Sequence, residues 1–188
     1  MSEAISVMNG ARFDGAVVVA DAGLRGMITL RGDLGDEKLA AAVKSAVGLA
    51  MPARRAIRTG KRGAVAWMSP DELLLFVDYD KSEEIATRIG ATCAGTHHLA
   101  VNVSDARAVF TLAGAGVREV LAKGAPADLS PEGLPAGEIR RTRLGQIAAA
   151  FWLTSETEAT VVCFRSVGAH LFHWLANAAK PGTLPGVL

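Results

Sequence analysis

The segment that decides the fold is "VFTLAGAGVREVLAKGAP", residues 109–126, because it repeats a pattern found near the start of the chain. The earlier copy is "MITLRGDLGDEKL", residues 27–39. In both copies a short apolar run ends at two closely spaced glycines, and an amphipathic segment follows. This order predicts a strand, a tight turn and a helix in each half of the chain.

The repeat continues beyond these two segments. The first copy is followed by "AVAWMSPDELLLFVDYDKS", which predicts two strands around a turn, and then by the helical pattern "KSEEIATRIGATC". The second copy is followed by "AAAFWLTSETEATVVCFRS" and the helical pattern "VGAHLFHWLANAA". Thr29 matches Thr111, Trp67 matches Trp152, and Asp80 falls near Arg165, at offsets of 82, 85 and 85 residues. The near-constant offset favours a duplicated unit over a chance match, which is the alternative.

These patterns predict an α+β fold made of two pseudo-repeated strand-helix-strand-strand-helix units. We expect the units to pack into one compact body, with mixed or antiparallel sheets and with helices on one face. Residues 1–96 form the first predicted unit with an N-terminal extension. Residues 97–188 form the second, in which "HHLAVNVSD", residues 97–105, is a bridging strand. The 188 residues are enough for such a core.

Composition narrows the function classes. Half of the residues are hydrophobic and the net charge is +1, so part of the apolar surface is expected to meet a partner. A nucleic-acid partner is not expected, since the chain has one tyrosine and no excess of basic residues. The uncharged run Ser166–Ala179 is shorter than the roughly 20 residues of a membrane span. Glu3 stands where a secretory signal carries basic residues, so we expect a cytoplasmic protein with no membrane partner.

The glycines of residues 109–126 raise the question of a nucleotide site. Gly114 and Gly116 supply G-x-G, but Glu119 stands at the third glycine position, where its carboxylate would face a pyrophosphate. Lys123 and Gly124 have the reverse order of a phosphate-loop G-K pair. We interpret the stretch as a tight turn with Gly124 at the helix end, and keep a nucleotide-binding domain as the alternative.

Histidines and cysteines offer no complete site. His170 and His173 share a helix face with Asn177, but a zinc site needs at least three protein ligands. Cys163, which precedes the helix, is the one further candidate ligand near it in the sequence. Adjacent histidines, His97 and His98, point to opposite faces if both lie in a strand. Cys93 and Cys163 fit a reducing compartment as buried thiols, with a disulfide between them as the alternative. Carboxylates have structural roles as turn formers or helix-start acids, namely Asp71, Glu72, Glu83, Glu84 and Asp105.

Two basic clusters occupy matching places in the two predicted units. The first contains Arg54, Arg55, Arg58, Lys61 and Arg62, and the second contains Arg140, Arg141 and Arg143. We expect solvated loops or subunit contacts there, and count them with the His170, His173 and Asn177 face as candidate contact surfaces. The residues therefore predict no catalytic, cofactor-binding or metal-binding site in this chain.

The ordered motifs resemble a known family. "MITLRGDL", "VAWMSPDELLLFVD", "VNVSDARAVFTLAGAGVREVLAKGAPADLSP", "RRTRLGQIAAAFWL" and "VCFRSVGAHLFHWLANAA" are similar, in that order, to the gamma subunit of heterotetrameric sarcosine oxidase. The resemblance runs from about Gly26 to Ala179. It implies an accessory chain without catalytic residues, assembled with the alpha, beta and delta subunits. The complex of that family demethylates sarcosine oxidatively to glycine, passes the one-carbon unit to tetrahydrofolate or releases formaldehyde, and forms hydrogen peroxide.

The same resemblance implies that FAD, FMN, NAD and tetrahydrofolate belong to the other subunits, with no cofactor in this chain. The family is also distantly similar to the aminomethyltransferase and folate-binding group, of which one branch carries K-G-C-Y-x-G-Q-E. Here Lys123 and Gly124 are followed by "APADLSP", without the cysteine, tyrosine or glutamine. Two alternatives remain: a stand-alone folate-binding aminomethyltransferase-like protein, and the small subunit of a related N-methyl amino acid dehydrogenase.

Overall fold

The apolar runs of the sequence form strands of two antiparallel sheets in a computed structural model that describes residues 3–188. The strands are β1 (Arg12–Asp14), β2 (Val18–Asp21), β3 (Gly26–Gly32), β4 (Ile57–Gly60), β5 (Gly63–Ser69), β6 (Glu72–Val77), β7 (His98–Asn102), β8 (Arg107–Ala113), β9 (Ile139–Leu144), β10 (Ile147–Ser155) and β11 (Glu158–Phe164). The helices are α1 (Glu37–Val47), α2 (Ser82–Thr92), α3 (Val117–Ala122) and α4 (Gly168–Ala178). The predicted α+β class is confirmed. Within residues 3–188, no helix is both long and apolar enough to cross a membrane.

The chain forms two compact units. The first unit is Arg25–Ser104 and contains the sheet β4-β5-β6-β3-β7. The second unit joins Asp105–Leu188 to the N-terminal residues that end at Leu24, and contains the sheet β1-β2-β8-β11-β10-β9. These bounds differ from the sequence-based division at residue 96.

The difference arises from the strands that pair with the free side of β3 in the first unit and of β8 in the second unit. The strand expected to bridge the units, β7, pairs with β3 of the first unit, for example through Thr29 and Val101. In the second unit β2 takes the same place and pairs with β8, as Ala20 does with Thr111. The added strand follows its repeat copy in the first unit (β7) and precedes it in the second unit (β2). The repeat pattern does not specify either pairing.

Each copy of the repeat itself contains one strand more than the sequence pattern predicts. The basic connections around residues 57–60 and 139–144 are the edge strands β4 and β9, so the repeated order is strand, helix, three strands, helix. Full burial in these edge strands is limited to Ile57 in β4 and to Ile139 and Leu144 in β9, and their other residues are polar or glycine and are exposed or half-buried. The apolar alternation that marks a strand in sequence is therefore weak in them.

Strand register shows which residues of the two units correspond. Ile57 pairs with Ala66, and Ile139, which is 82 residues further, pairs with Trp152. After the turn of the β4–β5 hairpin and of its counterpart, the β9–β10 hairpin, the offset between corresponding residues is 86. It increases because β9 and β10 each have two more residues than β4 and β5. The irregularity after Trp67 recurs after Leu153, so Trp67 corresponds to Leu153. The match of Trp67 with Trp152 is wrong by one residue.

The helices of each unit cover one face of its own sheet. In the first unit α1 and α2 place Leu39, Val43, Ile85 and Ile89 in a core with sheet residues such as Leu30. In the second unit α3 and α4 contribute Val120 and Leu171 to a core that includes Phe110, Phe151 and Val161. The predicted helix layer on one sheet face is confirmed within each unit.

Candidate functional site

The turn with Gly114 and Gly116, which the sequence offered as a possible nucleotide site, joins β8 to α3. Gly114 has φ +147°, and a Cβ there would lie 3.0 Å from the carbonyl oxygen of Ala16. A Cβ on Gly116 would lie 2.3 Å from Cδ1 of Leu184, in the C-terminal segment. The space that a phosphate would need in front of this turn is therefore taken by the chain itself.

The carboxylate of Glu119 is also engaged by the C-terminal segment. Glu119 is buried, and it accepts hydrogen bonds from the backbone N–H groups of Gly186 at 2.7 Å and Leu188 at 3.5 Å. Lys123 Nζ donates to the carbonyl oxygen of Ala178 at 2.5 Å and to Thr183 Oγ1 at 2.9 Å. Glu119 of α3 and Lys123, which follows this helix, therefore both contact residues near the C-terminal end of the chain, which agrees with the tight-turn interpretation.

A buried arginine that the sequence analysis did not select holds the loop after α3. Arg118 Nη1 donates to the carbonyl oxygens of Leu129 and Leu134, both at 2.9 Å, and to that of Ser130 at 3.2 Å. Its Nη2 also forms an ion pair with Glu156 at 2.9 Å. An arginine on the inner side of a short helix, ahead of a long loop with Asp and Pro, is the sequence signal that could have identified this role.

The second basic cluster is divided between structural and exposed side chains. Arg140 is mostly buried, forms an ion pair with Glu138 at 2.7 Å, and donates to the carbonyl oxygen of Gly133. It therefore helps Arg118 to hold the same loop. Arg141 and Arg143 are exposed on β9.

The first basic cluster lies on the surface of the first unit. Arg54, Arg55, Arg58 and Lys61 are exposed. Arg62 Nη2 donates to the carbonyl oxygen of Ser45 at 2.6 Å, and this contact satisfies an acceptor near the end of α1. Arg62 therefore has a structural role at the end of α1, and the other four basic residues of the cluster lie exposed on the surface.

The polar face of α4 is present as predicted. His170, His173 and Asn177 are exposed on one side of this helix. The ring of Phe172 meets that of His173 edge-on, with 5.7 Å between centroids. Among residues 3–188 no group of three histidine, cysteine or acidic side chains is placed to hold a metal ion.

Both cysteines are buried free thiols, so Cys93 and Cys163 are not joined in a disulfide. Burial raises the pKa of the Cys163 thiol to about 12, although the nearby Arg107 opposes this shift. Burial and the charge of Asp36 raise the pKa of Cys93. Because the thiolate is the nucleophile and the metal ligand, neither residue is prepared for such a role at neutral pH.

An open cleft of about 800 Å³ lies in the first unit. His97 and His98 both line it, since β7 begins at His98 and His97 precedes the strand. The expectation that adjacent histidines point to opposite faces applies to two strand residues, and His97 lies outside the strand. Arg31 and Asp71 form an ion pair across the cleft at 2.5 Å, and hydrogen bonds from Ser69 and Arg31 lower the pKa of Asp71. The residues that line the cleft include this ion pair and the two histidines, but no cysteine, serine or lysine.

Comparison with known proteins gives the family. Residues 31–181 match the model described as "Sarcosine oxidase, gamma subunit family". The sarcosine oxidase subunit gamma of Corynebacterium sp. (strain U-96) is 29% identical over 140 residues, which are 73% of this chain and 67% of that protein.

Solved structures agree with this match. A chain of the heterotetrameric sarcosine oxidase from Corynebacterium sp. U-96, solved with pyrrole 2-carboxylate, superposes with a TM-score of 0.79 at 26% identity, covering 89% of this chain and 87% of that one. The aminomethyltransferase T of the glycine cleavage system from Bartonella henselae shares the fold at a TM-score of 0.62 and 14% identity. That likeness covers 86% of this chain and 45% of the transferase. The chain described here belongs to the sarcosine oxidase gamma subunit family.

Proposed function

We propose that this chain is the accessory gamma subunit of a multi-subunit sarcosine oxidase, and that it supports assembly without catalysing a step itself. The family match over residues 31–181 carries the proposal. Its partners are then the alpha, beta and delta subunits, in the cytoplasm. The complex demethylates sarcosine to glycine, passes the one-carbon unit to tetrahydrofolate or releases it as formaldehyde, and reduces oxygen to hydrogen peroxide.

The side chains of the second unit support an accessory role. The groups around the glycine turn bind the chain's own segments: Glu119 binds the C-terminal segment, and Arg118 and Arg140 hold the loop after α3. The Cys163 thiol is held neutral by burial. A cofactor needs convergent polar groups that position its reactive atom. In this proposal FAD, FMN, NAD and tetrahydrofolate are held by the other subunits.

Co-expression tests the proposal. The alpha, beta and delta subunits are produced with and without this chain, and the purified material is assayed for flavin content, thermal stability and hydrogen peroxide formation from sarcosine. We expect this chain to co-purify in fixed stoichiometry and its omission to reduce the yield of intact complex. Failure to co-purify with a flavin-containing subunit would contradict the proposal.

Two further measurements separate the other functions. Titration calorimetry of the isolated chain with tetrahydrofolate and with FAD should show no tight binding, whereas tight binding would favour a stand-alone folate protein. Comparison of sarcosine with N-methylglutamate as substrates of the complex distinguishes a sarcosine oxidase from a related N-methyl amino acid dehydrogenase.

A further inference from the structure

An exposed aromatic side chain in the second unit has no role in the core. Phe164 ends β11, and 46% of the residue is exposed. Its neighbour Cys163 points into the core beneath the helices, so Phe164 points to the opposite face of the sheet. The guanidinium carbon of Arg107 lies 4.4 Å from the centre of its ring, in a cation–π contact.

Strand register places more basic residues beside this ring. Phe164 pairs with Arg107 on β8, and β10 pairs Ala148 with Arg143 of β9. Because Ala149 pairs with Cys163, Ala148 lies opposite Phe164, and the four residues form one row across the sheet. Ala148 and Arg143 are exposed, and Arg141 is exposed on the same side of β9. We call these five residues the Phe164 surface.

The first unit shows that the fold does not require an aromatic residue here. At the offset of 86 residues found beyond the hairpin, Phe164 corresponds to Asp78. At the offset of 82 found before it, Arg107 corresponds to Arg25. The Asp78 side chain is 75% exposed and forms an ordinary surface ion pair with Lys81 at 3.2 Å. The second unit therefore has a large apolar ring where its counterpart has a solvated carboxylate.

We propose that the Phe164 surface docks an acidic segment of a partner subunit, with an apolar side chain of that segment against the Phe164 ring. This inference rests on the proposed function. Aromatic and arginine side chains are the groups that interfaces concentrate, and complementary charge selects the partner. The five residues of the Phe164 surface include three arginines and no acidic side chain, and Asp105 lies two residues before Arg107 in the chain.

The test measures binding of the full chain to the remainder of the complex, purified without it. Phe164→Ser and Arg143→Glu are each compared with the wild-type chain. The matched control is Lys44→Glu, which makes the same charge change at an exposed position of α1, outside the candidate contact surfaces. We expect each surface variant to raise the dissociation constant by at least about tenfold, and the control to bind as the wild type does.

The outcomes separate this inference from the proposed function. If wild type and all variants bind equally, the Phe164 surface is not the docking site and the proposed function stands. If the wild-type chain does not bind, both fail. If it forms a homodimer that Phe164→Ser disrupts, with no effect on subunit binding, the surface serves a second copy and the proposal is overturned. Thermal melting checks that each variant is folded, and the exposed Arg143→Glu keeps the test decisive if Phe164→Ser is not.

Discussion

At the scale of single residues, Arg118 is a buried charged side chain that holds a loop of the second unit. Its guanidinium group serves the carbonyl oxygens of Leu129, Ser130 and Leu134. Arg118→Met keeps most of the apolar stem but leaves these carbonyls without their donor. We expect a loss of about 2–3 kcal/mol in the free energy of unfolding, measured by urea denaturation.

Glu156→Gln provides the matched comparison for Arg118→Met. It weakens the ion pair of Arg118, but the Glu156 side chain is 67% exposed, so solvent screens the interaction. We expect its effect to stay below about 1 kcal/mol. Equal effects of the two substitutions would show that the ion pair, and not the loop carbonyls, provides the stabilisation.

The buried thiol of Cys163 predicts a pH dependence in the alkaline range. Its pKa is raised from 9.0 to about 12 in the folded chain. Above pH 9.0 the unfolded thiol loses its proton while the folded thiol keeps it, so the unfolded state binds fewer protons and the free energy of unfolding falls as the pH rises. This contribution is present below pH 9.0 and is lost toward pH 12.

Denaturation curves at a series of pH values measure this decline. Cys163→Ala removes the thiol, so its stability should fall less steeply with pH than that of the wild type. Parallel declines of the two proteins would assign the alkaline loss to other groups. The comparison uses slopes, because the substitution itself changes core packing.

At the scale of elements, the two turn-and-helix segments that define the repeat are stabilised differently. Asp36 caps α1, where its Oδ1 accepts hydrogen bonds from the N–H groups of Lys38 at 2.7 Å and Leu39 at 3.2 Å. In α3 the residue at the same place is Gly116, which has no side chain to cap the helix. α1 has 11 residues and α3 has six.

Substitution of Asp36 tests this difference. Asp36→Ala removes the acceptor for two N–H groups, and we expect a loss of about 1 kcal/mol in the free energy of unfolding. Asp36→Asn retains a capping oxygen and should stay within a few tenths of a kcal/mol of the wild type. Denaturation monitored by circular dichroism gives both values. An Asp36→Asn variant as unstable as Asp36→Ala would point to the negative charge as the important feature.

Elements with apolar alternation could be predicted from the sequence, and polar edge strands could not. The segments at residues 27–39 and 109–126 hold enough buried positions to show a strand, a turn and a helix. β4 and β9 lie at sheet edges, and their exposed arginines hide the strand pattern. The partner of each outer edge, β7 or β2, depends on pairing between distant residues, which local periodicity does not report.

Contacts between distant residues also limit how much of the candidate site could be predicted from the sequence. Glu119 could be recognised as a poor neighbour for a phosphate from its charge alone. The C-terminal segment that binds it lies 67 and 69 residues further along the chain, at Gly186 and Leu188. Phe164 follows a strand pattern in sequence, and only the register of the sheet shows that its ring meets Arg107 and is exposed.

At the scale of the whole molecule, the duplicated unit has been adapted differently in its two copies. The first copy has a longer, capped helix α1 and an open cleft. The second has a short α3, a loop held by arginines and the Phe164 surface. A chain with one basic, aromatic surface and a net charge of only +1 is expected to associate through local charge and not through its overall field.

Ionic strength tests this view of association. Raising the salt concentration from about 0.1 M to about 1 M shortens the screening distance from about 10 Å to about 3 Å, which weakens attraction between exposed charges. We therefore expect the dissociation constant for the rest of the complex to rise several-fold over this range.

The two kinds of side chain in the Phe164 surface should respond differently to salt. A variant with both Arg141→Gln and Arg143→Gln keeps only the guanidinium group of Arg107, so its binding should be weaker and should depend less steeply on salt than that of the wild type. Phe164→Ser loses apolar contact but keeps the guanidinium groups, so its binding should be weaker with the wild-type salt dependence. Because screening acts on charge and not on apolar contact, identical salt slopes for all three proteins would mean that these arginines do not face an acidic partner.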